Sequence, residues 1–120
     1  MSWKLAFHSK FKREFDEFLP AVRNELLAML ISLEARGPAL GRPEADTLNG
    51  SRHSNMKELR FRAAQGVWRV AFAFDPKRHG ILLVAGDKAG VSESKFYQRL
   101  IDKADKRFDE HLRSLVSKEK

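Results

Sequence analysis

Residues 67–74, Val-Trp-Arg-Val-Ala-Phe-Ala-Phe, alternate with a period of two. In an extended strand Trp68, Val70, Phe72 and Phe74 share one face, while Arg69, Ala71 and Ala73 share the other. Such a segment belongs in a sheet whose two faces differ in kind, and its neighbours supply that sheet. Residues 56–62 place Leu59 and Phe61 on one face and Glu58, Arg60 and Arg62 on the other. Gln65-Gly66 turns the chain between the two strands. After a second turn over residues 75–80, residues 81–85 (Ile-Leu-Leu-Val-Ala) read as a strand covered on both sides. The expectation is an antiparallel meander of three strands.

The flanks add helices and one more strand. Residues 3–7, Trp-Lys-Leu-Ala-Phe, suit a short first strand at a sheet edge or beside the last strand. Ser9 is placed to cap a helix over 10–19, with Phe11, Phe15, Phe18 and Leu19 on one stripe. Pro20 ends that helix and starts the next, which carries Val22, Leu26, Leu27, Met29, Leu30 and Leu33 as its apolar stripe and stops at Gly37-Pro38. Residues 37–55 hold three Gly and two Pro and predict a long loop, functional or mobile, or else a plain connector. Ser92 caps a last helix running to Val116, with Phe96, Leu100, Ala104, Phe108 and then Leu112 or Leu115 on one stripe and a frayed tail at 117–120. The fold class expected is α+β, a single domain over 1–120 in the order β-α-α-β-β-β-α, with an antiparallel-rich twisted sheet.

Charge adds a direction. The chain has 120 residues, 23 Lys+Arg against 16 Asp+Glu, and a formal net charge of +7. Residues 52–99 hold ten basic and four acidic side chains, a net +6, and six of those ten are arginines. A localised, arginine-rich field points to an anionic partner, nucleic acid above all, with a lysine-rich solubilising surface as the plain alternative. The absence of cysteine removes disulfide scaffolds, thiolate metal sites and cysteine nucleophiles. The four histidines show no metal-ligand spacing, and no Gly-rich phosphate loop or serine-hydrolase signature is present, so no metal and no cofactor is expected. No apolar run long enough for a signal peptide or a membrane span is seen, and the expected location is cytoplasmic.

Strand parity gathers Arg60, Arg62 and Arg69 on one sheet face beside two alanines, which leaves room for a ligand unless that face is simply solvated. Glu58 on the same face could neutralise one of the arginines. Grouped arginines can hold a phosphodiester and the pentacovalent oxyanion formed when it is cleaved. Lys57, Lys88, His53 and Tyr97 are the proton-transfer candidates for such a cleavage. Arg52, His53, Arg62 and Lys95 are candidate RNA contacts around it.

The runs Met-Lys-Glu-Leu-Arg-Phe (56–61), Gly-Val-Trp-Arg-Val-Ala-Phe-Ala-Phe-Asp-Pro (66–76), Ile-Leu-Leu-Val-Ala-Gly-Asp-Lys-Ala-Gly (81–90) and the helix opening at Lys95-Phe96-Tyr97 resemble the RelE/ParE superfamily of toxins from bacterial toxin–antitoxin pairs. The likeness is strongest to its HigB-like, phage-derived branch. It implies a RelE-like fold and a ribosome-dependent messenger RNA endonuclease (mRNA interferase). A ParE-like gyrase inhibitor, or a basic nucleic-acid-binding module, is the alternative. The residues carried over are Glu58-Leu59-Arg60, Trp68-Arg69-Val70 and Gly86-Asp87-Lys88. Arg60 and Arg69 would bind phosphate, Lys88 would stabilise the transition state, and Tyr97 would stack a base or transfer a proton. The implied partners are the ribosome, mRNA and a HigA-like helix-turn-helix antitoxin, which would assemble with the toxin as a hetero-oligomer and cover the basic face or the 37–55 loop.

Overall fold

The structure, a computed structural model, describes residues 2–118. The meander lies at its centre: β3 (Lys57–Ala63), β4 (Gly66–Phe74) and β5 (His79–Asp87) pair antiparallel in sequence order. β1 (Lys4–Phe7) runs parallel to β5 at one edge, so it is both an edge strand and the neighbour of the last strand. The other edge differs from expectation. A short strand, β2 (Ala45–Thr47), rises out of the presumed 37–55 loop and pairs antiparallel with β3, giving five strands in the order β1-β5-β4-β3-β2. The physical reason lies in the few apolar residues of that segment. Leu40, Ala45 and Leu48 are all buried, and docking them brings the backbone alongside the otherwise unpaired edge of β3.

Helices cover both faces. α1 (Ser9–Asp16) and α2 (Pro20–Arg36) pack on the face that carries Leu59, Phe61, Trp68, Val70 and Phe72. α1 is shorter than its apolar stripe suggests. Leu19 precedes a proline and is held extended (φ −57°, ψ 146°), so the helix has to end before it. Its cap is His8, whose Nδ1 accepts from the Lys10 backbone N–H at 3.1 Å, and not Ser9, which is already helical. Between β3 and β4 the turn residues are Ala64 and Gln65, both at positive φ (50° and 65°), as a tight hairpin turn requires. Gly66 is instead the first residue of β4, where a Cβ would lie 2.7 Å from both the Asp87 carboxylate and the Trp68 indole.

α3 (Glu93–Lys118) covers the opposite face and continues through Ser117 and Lys118; the rest of the expected frayed tail lies outside the described residues. Phe96, Leu100, Ala104 and Phe108 pack on Ala71 and Ala73, which are fully buried. The alanines therefore make room for a helix and not for a ligand, contrary to the sequence expectation. Burying a side chain the size of Phe contributes roughly 1.5–3 kcal/mol, so this apolar seam is a large part of what holds α3 in place. No described helix is long and apolar enough to cross a membrane.

An ion pair and three histidine–carboxylate contacts then fasten the far half of α3. Arg107 is buried and donates to Glu14 on α1 (2.8 and 2.6 Å) and to the Leu83 carbonyl (2.8 Å). Glu110 meets His8 at 3.1 Å, Asp109 meets His53 at 2.8 Å, and His111 meets Asp75 in the β4–β5 turn at 2.7 Å. The Arg107 hydrogen bond holds the Glu14 carboxyl below its ordinary value, and Lys10 does the same for Glu110. Burial works to raise Asp75 and Asp109. Hydrogen bonds from His111 and two backbone N–H groups to Asp75, and from His53 and Arg52 to Asp109, outweigh it and leave both lowered. His8 is also lowered, by burial and by the Arg107 charge.

All five groups act in one direction. Each is harder to protonate in the folded chain than in the unfolded one, so their stabilisation is complete above their ordinary values and is lost as pH falls. Glu58, discussed below, works in the opposite sense but is a single group. The thermal midpoint is therefore expected to fall steadily from about pH 6.5 to about pH 3. Calorimetry across that range checks it, and a flat midpoint would show that these pairs do not hold α3.

Candidate active site

Pairing of β3 with β4 sets Arg60 directly across from Arg69, and Glu58 across from Ala71. Two facing guanidinium groups repel unless a carboxylate lies between them, and Glu58 does. Its Oε2 is 3.9 Å from Arg60 Nε, and its Oε1 is 3.8 Å from Arg69 Nε. Tyr97, delivered by the first turns of α3, closes the group. Its hydroxyl donates to Glu58 Oε1 at 2.9 Å and accepts from Arg69 Nε at 3.2 Å. Arg69 also donates from Nη1 to the Trp68 carbonyl at 3.0 Å, which fixes the plane of its fork. Arg69 and Glu58 are buried, whereas Arg60 is about one-third exposed.

A cleft of about 370 Å³ opens over this group, lined by Arg42, Asp46, Thr47, Leu48, Asn49, Glu58, Arg60 and Tyr97. Its outer wall is β2, whose Asp46 is in register with Glu58. Asp46 accepts from Arg42 at 2.8 and 2.9 Å and stands 4.0 Å from Arg60, and the Arg42 hydrogen bonds hold its carboxyl below the ordinary range. Lys88 reaches the same region from the end of β5, with Nζ 5.8 Å from the centre of the Tyr97 ring and 3.1 Å from Glu93. Its neighbour Asp87 has a different task, accepting the backbone N–H groups of Val67 and Ala89 at 2.9 Å each.

Other candidate residues stand elsewhere. Lys57 points to the opposite sheet face, where its Nζ donates to the carbonyls of Pro38 (2.8 Å) and Leu40 (3.2 Å). His53 is stacked edge-on against Phe108 and held by Asp109. Arg52 also pairs with Asp109, and its backbone N–H donates to Asp105 at 3.0 Å. Both residues tie the 48–56 segment to α3. Arg62 and Lys95 are exposed, at the end of β3 and in the first turn of α3. The expected set therefore divides: Arg60, Arg69, Tyr97 and Lys88 converge, while Lys57, His53 and Arg52 are engaged in holding other segments.

Residues 13–109 match the family described as phage derived protein Gp49-like. The chain belongs to that family. Over 89 residues, 72% of this chain, it is 51% identical to the toxin HigB2 of Mycobacterium tuberculosis, and those residues span 43% of that protein's length. Over 82 residues it is 49% identical to the toxin HigB3 of the same organism, covering 68% of this chain and 69% of that one. The chain thus spans less than half the length of the first relative and about two-thirds of the second. Among solved structures, the E. coli toxin RelE, a double arginine-to-alanine mutant in the free state, superposes with a TM-score of 0.61 at 15% identity, covering 86% of this chain and 97% of that one. The RelE-like fold expected from the sequence is therefore the fold observed.

Within this Gp49-like domain, Glu58 is the site residue that sequence reasoning undervalued. It reads there as a counter-ion for an arginine, and the geometry makes it the hub of the group. Burial pushes its carboxyl above the ordinary value, against the Tyr97 hydrogen bond and the two arginine charges that pull it down. Tyr97 is pushed up as well, by burial first and by Glu58 next, against the pull of Arg69. A carboxylate with a raised pKa beside paired cations is suited to taking a proton near neutral pH. The available signal was parity, since Glu58 shares its face with Arg60 and Arg69.

Proposed function

We propose that this protein is the toxin of a toxin–antitoxin pair and cleaves messenger RNA during translation by transferring a phosphodiester to its own 2′-hydroxyl. The observation that carries this reading is the Glu58–Tyr97–Arg69–Arg60 group, of which Glu58, Tyr97 and Arg60 line an open cleft and Arg69 is buried behind them. Arg60 and Arg69 hold the two non-bridging phosphate oxygens, and their paired positive charges, with the Arg69 fork held by hydrogen bonds, stabilise the pentacovalent state. Glu58 takes the proton of the 2′-hydroxyl, whose oxygen forms the new bond to phosphorus. The bond to the 5′-oxygen breaks, and Lys88 gives that oxygen a proton, leaving a 2′,3′-cyclic phosphate and a free 5′-hydroxyl. Tyr97 holds Glu58 and Arg69 in register. The names of the curated relatives, toxins both, support the reading at the level of biology.

Partners follow from the same reading. The ribosome presents the message in the cleft and supplies alignment that the isolated domain lacks. The antitoxin is of the helix-turn-helix, HigA-like kind and silences the site by covering the arginines, in the cytoplasm where translation occurs. The test is a translation extract programmed with a defined message. Wild-type protein is expected to produce cuts with 5′-hydroxyl ends that appear only on translated message and persist in EDTA. Intact messages together with gyrase-dependent DNA breaks would replace this reading with the ParE-like one. Salt-sensitive RNA binding without cleavage would reduce the protein to a binding module.

A further inference from the structure

At the far end of the sheet from the Arg69 group lies a second cationic cleft of about 400 Å³, lined by Ser2, Trp3, Lys4, Lys77, Arg78 and His79. Among the described residues that line it there is no carboxylate. The cleft over Arg60 includes Asp46 and Glu58, and the groove along α3 includes Asp102 and Glu110. Its aromatic wall is built and not incidental. Trp3 donates from its backbone to the Glu34 carbonyl at 2.8 Å and meets Phe74 edge-on at 5.3 Å. Its ring also lies so close to Gly37 (φ +57°) that a Cβ there would sit 2.4 Å away.

Arg78 lies over that ring, its guanidinium 5.2 Å from the ring centre. Its backbone is left-handed (φ 69°), a conformation cheap for glycine or asparagine and costly for arginine. A turn needing only that backbone would be better served by glycine, so the side chain has a use. Among the described residues the Arg78 guanidinium has no hydrogen-bond acceptor, and the indole face beneath it gives it a fixed support. A planar fork held on an aromatic face, beside Lys4 on an edge strand, matches two oxygens of a phosphate.

We propose that Trp3, Lys4 and Arg78 form a second RNA-phosphate contact, separate from the cleavage site. This rests on the reading that the protein acts on RNA. An acidic protein is the poorer fit, because the one aromatic side chain of the cleft is already covered by Arg78 and leaves no apolar anchor for an interface. Arg69 and Phe74 are five residues apart on β4, about 17 Å at strand rise, and their side chains face opposite sides of the sheet. The second contact therefore holds a backbone segment other than the scissile one, on a longer strand or on a folded RNA around it.

The test measures binding of fluorescent 2′-O-methyl RNA, which cannot be cut by 2′-hydroxyl attack, as a single strand and as a stem-loop. Wild type, Arg78→Gly, Lys4→Gln and the double variant are compared across a salt series. Glycine suits the positive φ at 78, so the variant is expected to melt no lower than wild type, and a binding loss then reports the guanidinium. The double variant should bind at least one probe roughly three- to tenfold more weakly, with a log–log salt slope shallower by about 1.4 for two lost phosphate contacts on a single strand. A loss on the single strand alone assigns the contact to a longer substrate strand, and a loss on the stem-loop assigns it to folded RNA. Unchanged affinity and slope for both probes would overturn the proposal. So would a loss confined to a polyglutamate peptide, which would make the patch a protein contact. Cleavage by wild type in the translation extract is scored separately, so the proposed activity and this contact fail independently.

Discussion

Arg69→Ala is expected to lower the rate of message cleavage by about 10²–10³-fold, the usual consequence of removing one preorganised donor to a phosphoryl or acyl oxyanion. The size follows from placement. Arg69 is buried, its Nε is held by the Tyr97 hydroxyl at 3.2 Å and its Nη1 by the Trp68 carbonyl at 3.0 Å, so its guanidinium is fixed in place behind the cleft before a substrate arrives. The fold should survive the change. Glu58 keeps the Tyr97 hydrogen bond and the Arg60 charge, and a carboxyl already raised by burial can take up a proton when its second counter-ion is lost. Arg69→Lys should rescue little, because an ammonium restores the charge and not the fork. Growth arrest on expression and cleavage in extract give the two readouts, with circular dichroism as the control for folding. A folded Arg69→Ala variant that cuts within threefold of wild type would remove this residue from the chemistry. One that remains toxic while messages stay intact would favour the gyrase reading.

Period-two alternation was enough to find β3, β4 and β5, and parity was enough to put Glu58, Arg60 and Arg69 on one face, because both depend only on local backbone geometry. Parity could not say what covers that face. The small residues at 71 and 73 are explained by α3, whose packing residues run from Phe96 to Phe108, and two elements that meet only in the tertiary fold leave no local mark on each other. The same limit hid β2. Ala-Asp-Thr is a poor strand by composition and forms because the β3 edge offers it partners. Lys57 and His53 are basic residues near the right strand in sequence, yet their side chains serve carbonyls at 38 and 40 and a carboxylate at 109. Proximity in sequence to a motif thus separated poorly from membership of the site. The family resemblance added the order of motifs, and could not rank Glu58.

Glu58→Gln tests that ranking. The amide is nearly isosteric and its Oε1 can still accept from Tyr97, so the geometry of Arg69 is preserved while the proton acceptor is removed. The rate of cleavage is expected to fall by about 10²–10⁴-fold, the range for loss of a general base. RNA affinity should hold or rise, since the cluster gains a positive charge that Glu58 had neutralised. The pH dependence separates a base from a scaffold. Because burial lifts Glu58 above its ordinary 4.5, the acid limb of the wild-type rate should lie above that value, with activity growing as pH rises through the folded pKa. In the Gln variant that limb should vanish and the residual rate should be flat there. Stability has the opposite sign. A carboxyl whose folded pKa is raised is stabilising only while protonated, so its ionisation weakens the fold as pH climbs from the unfolded value through the folded one. The Gln variant is free of that loss, and should match wild type at low pH and equal or exceed it at pH 7. A variant that melts lower at pH 7 would mean Glu58 serves chiefly as a counter-ion. One that keeps both the wild-type rate and its acid limb would place the base on another residue of the cleft.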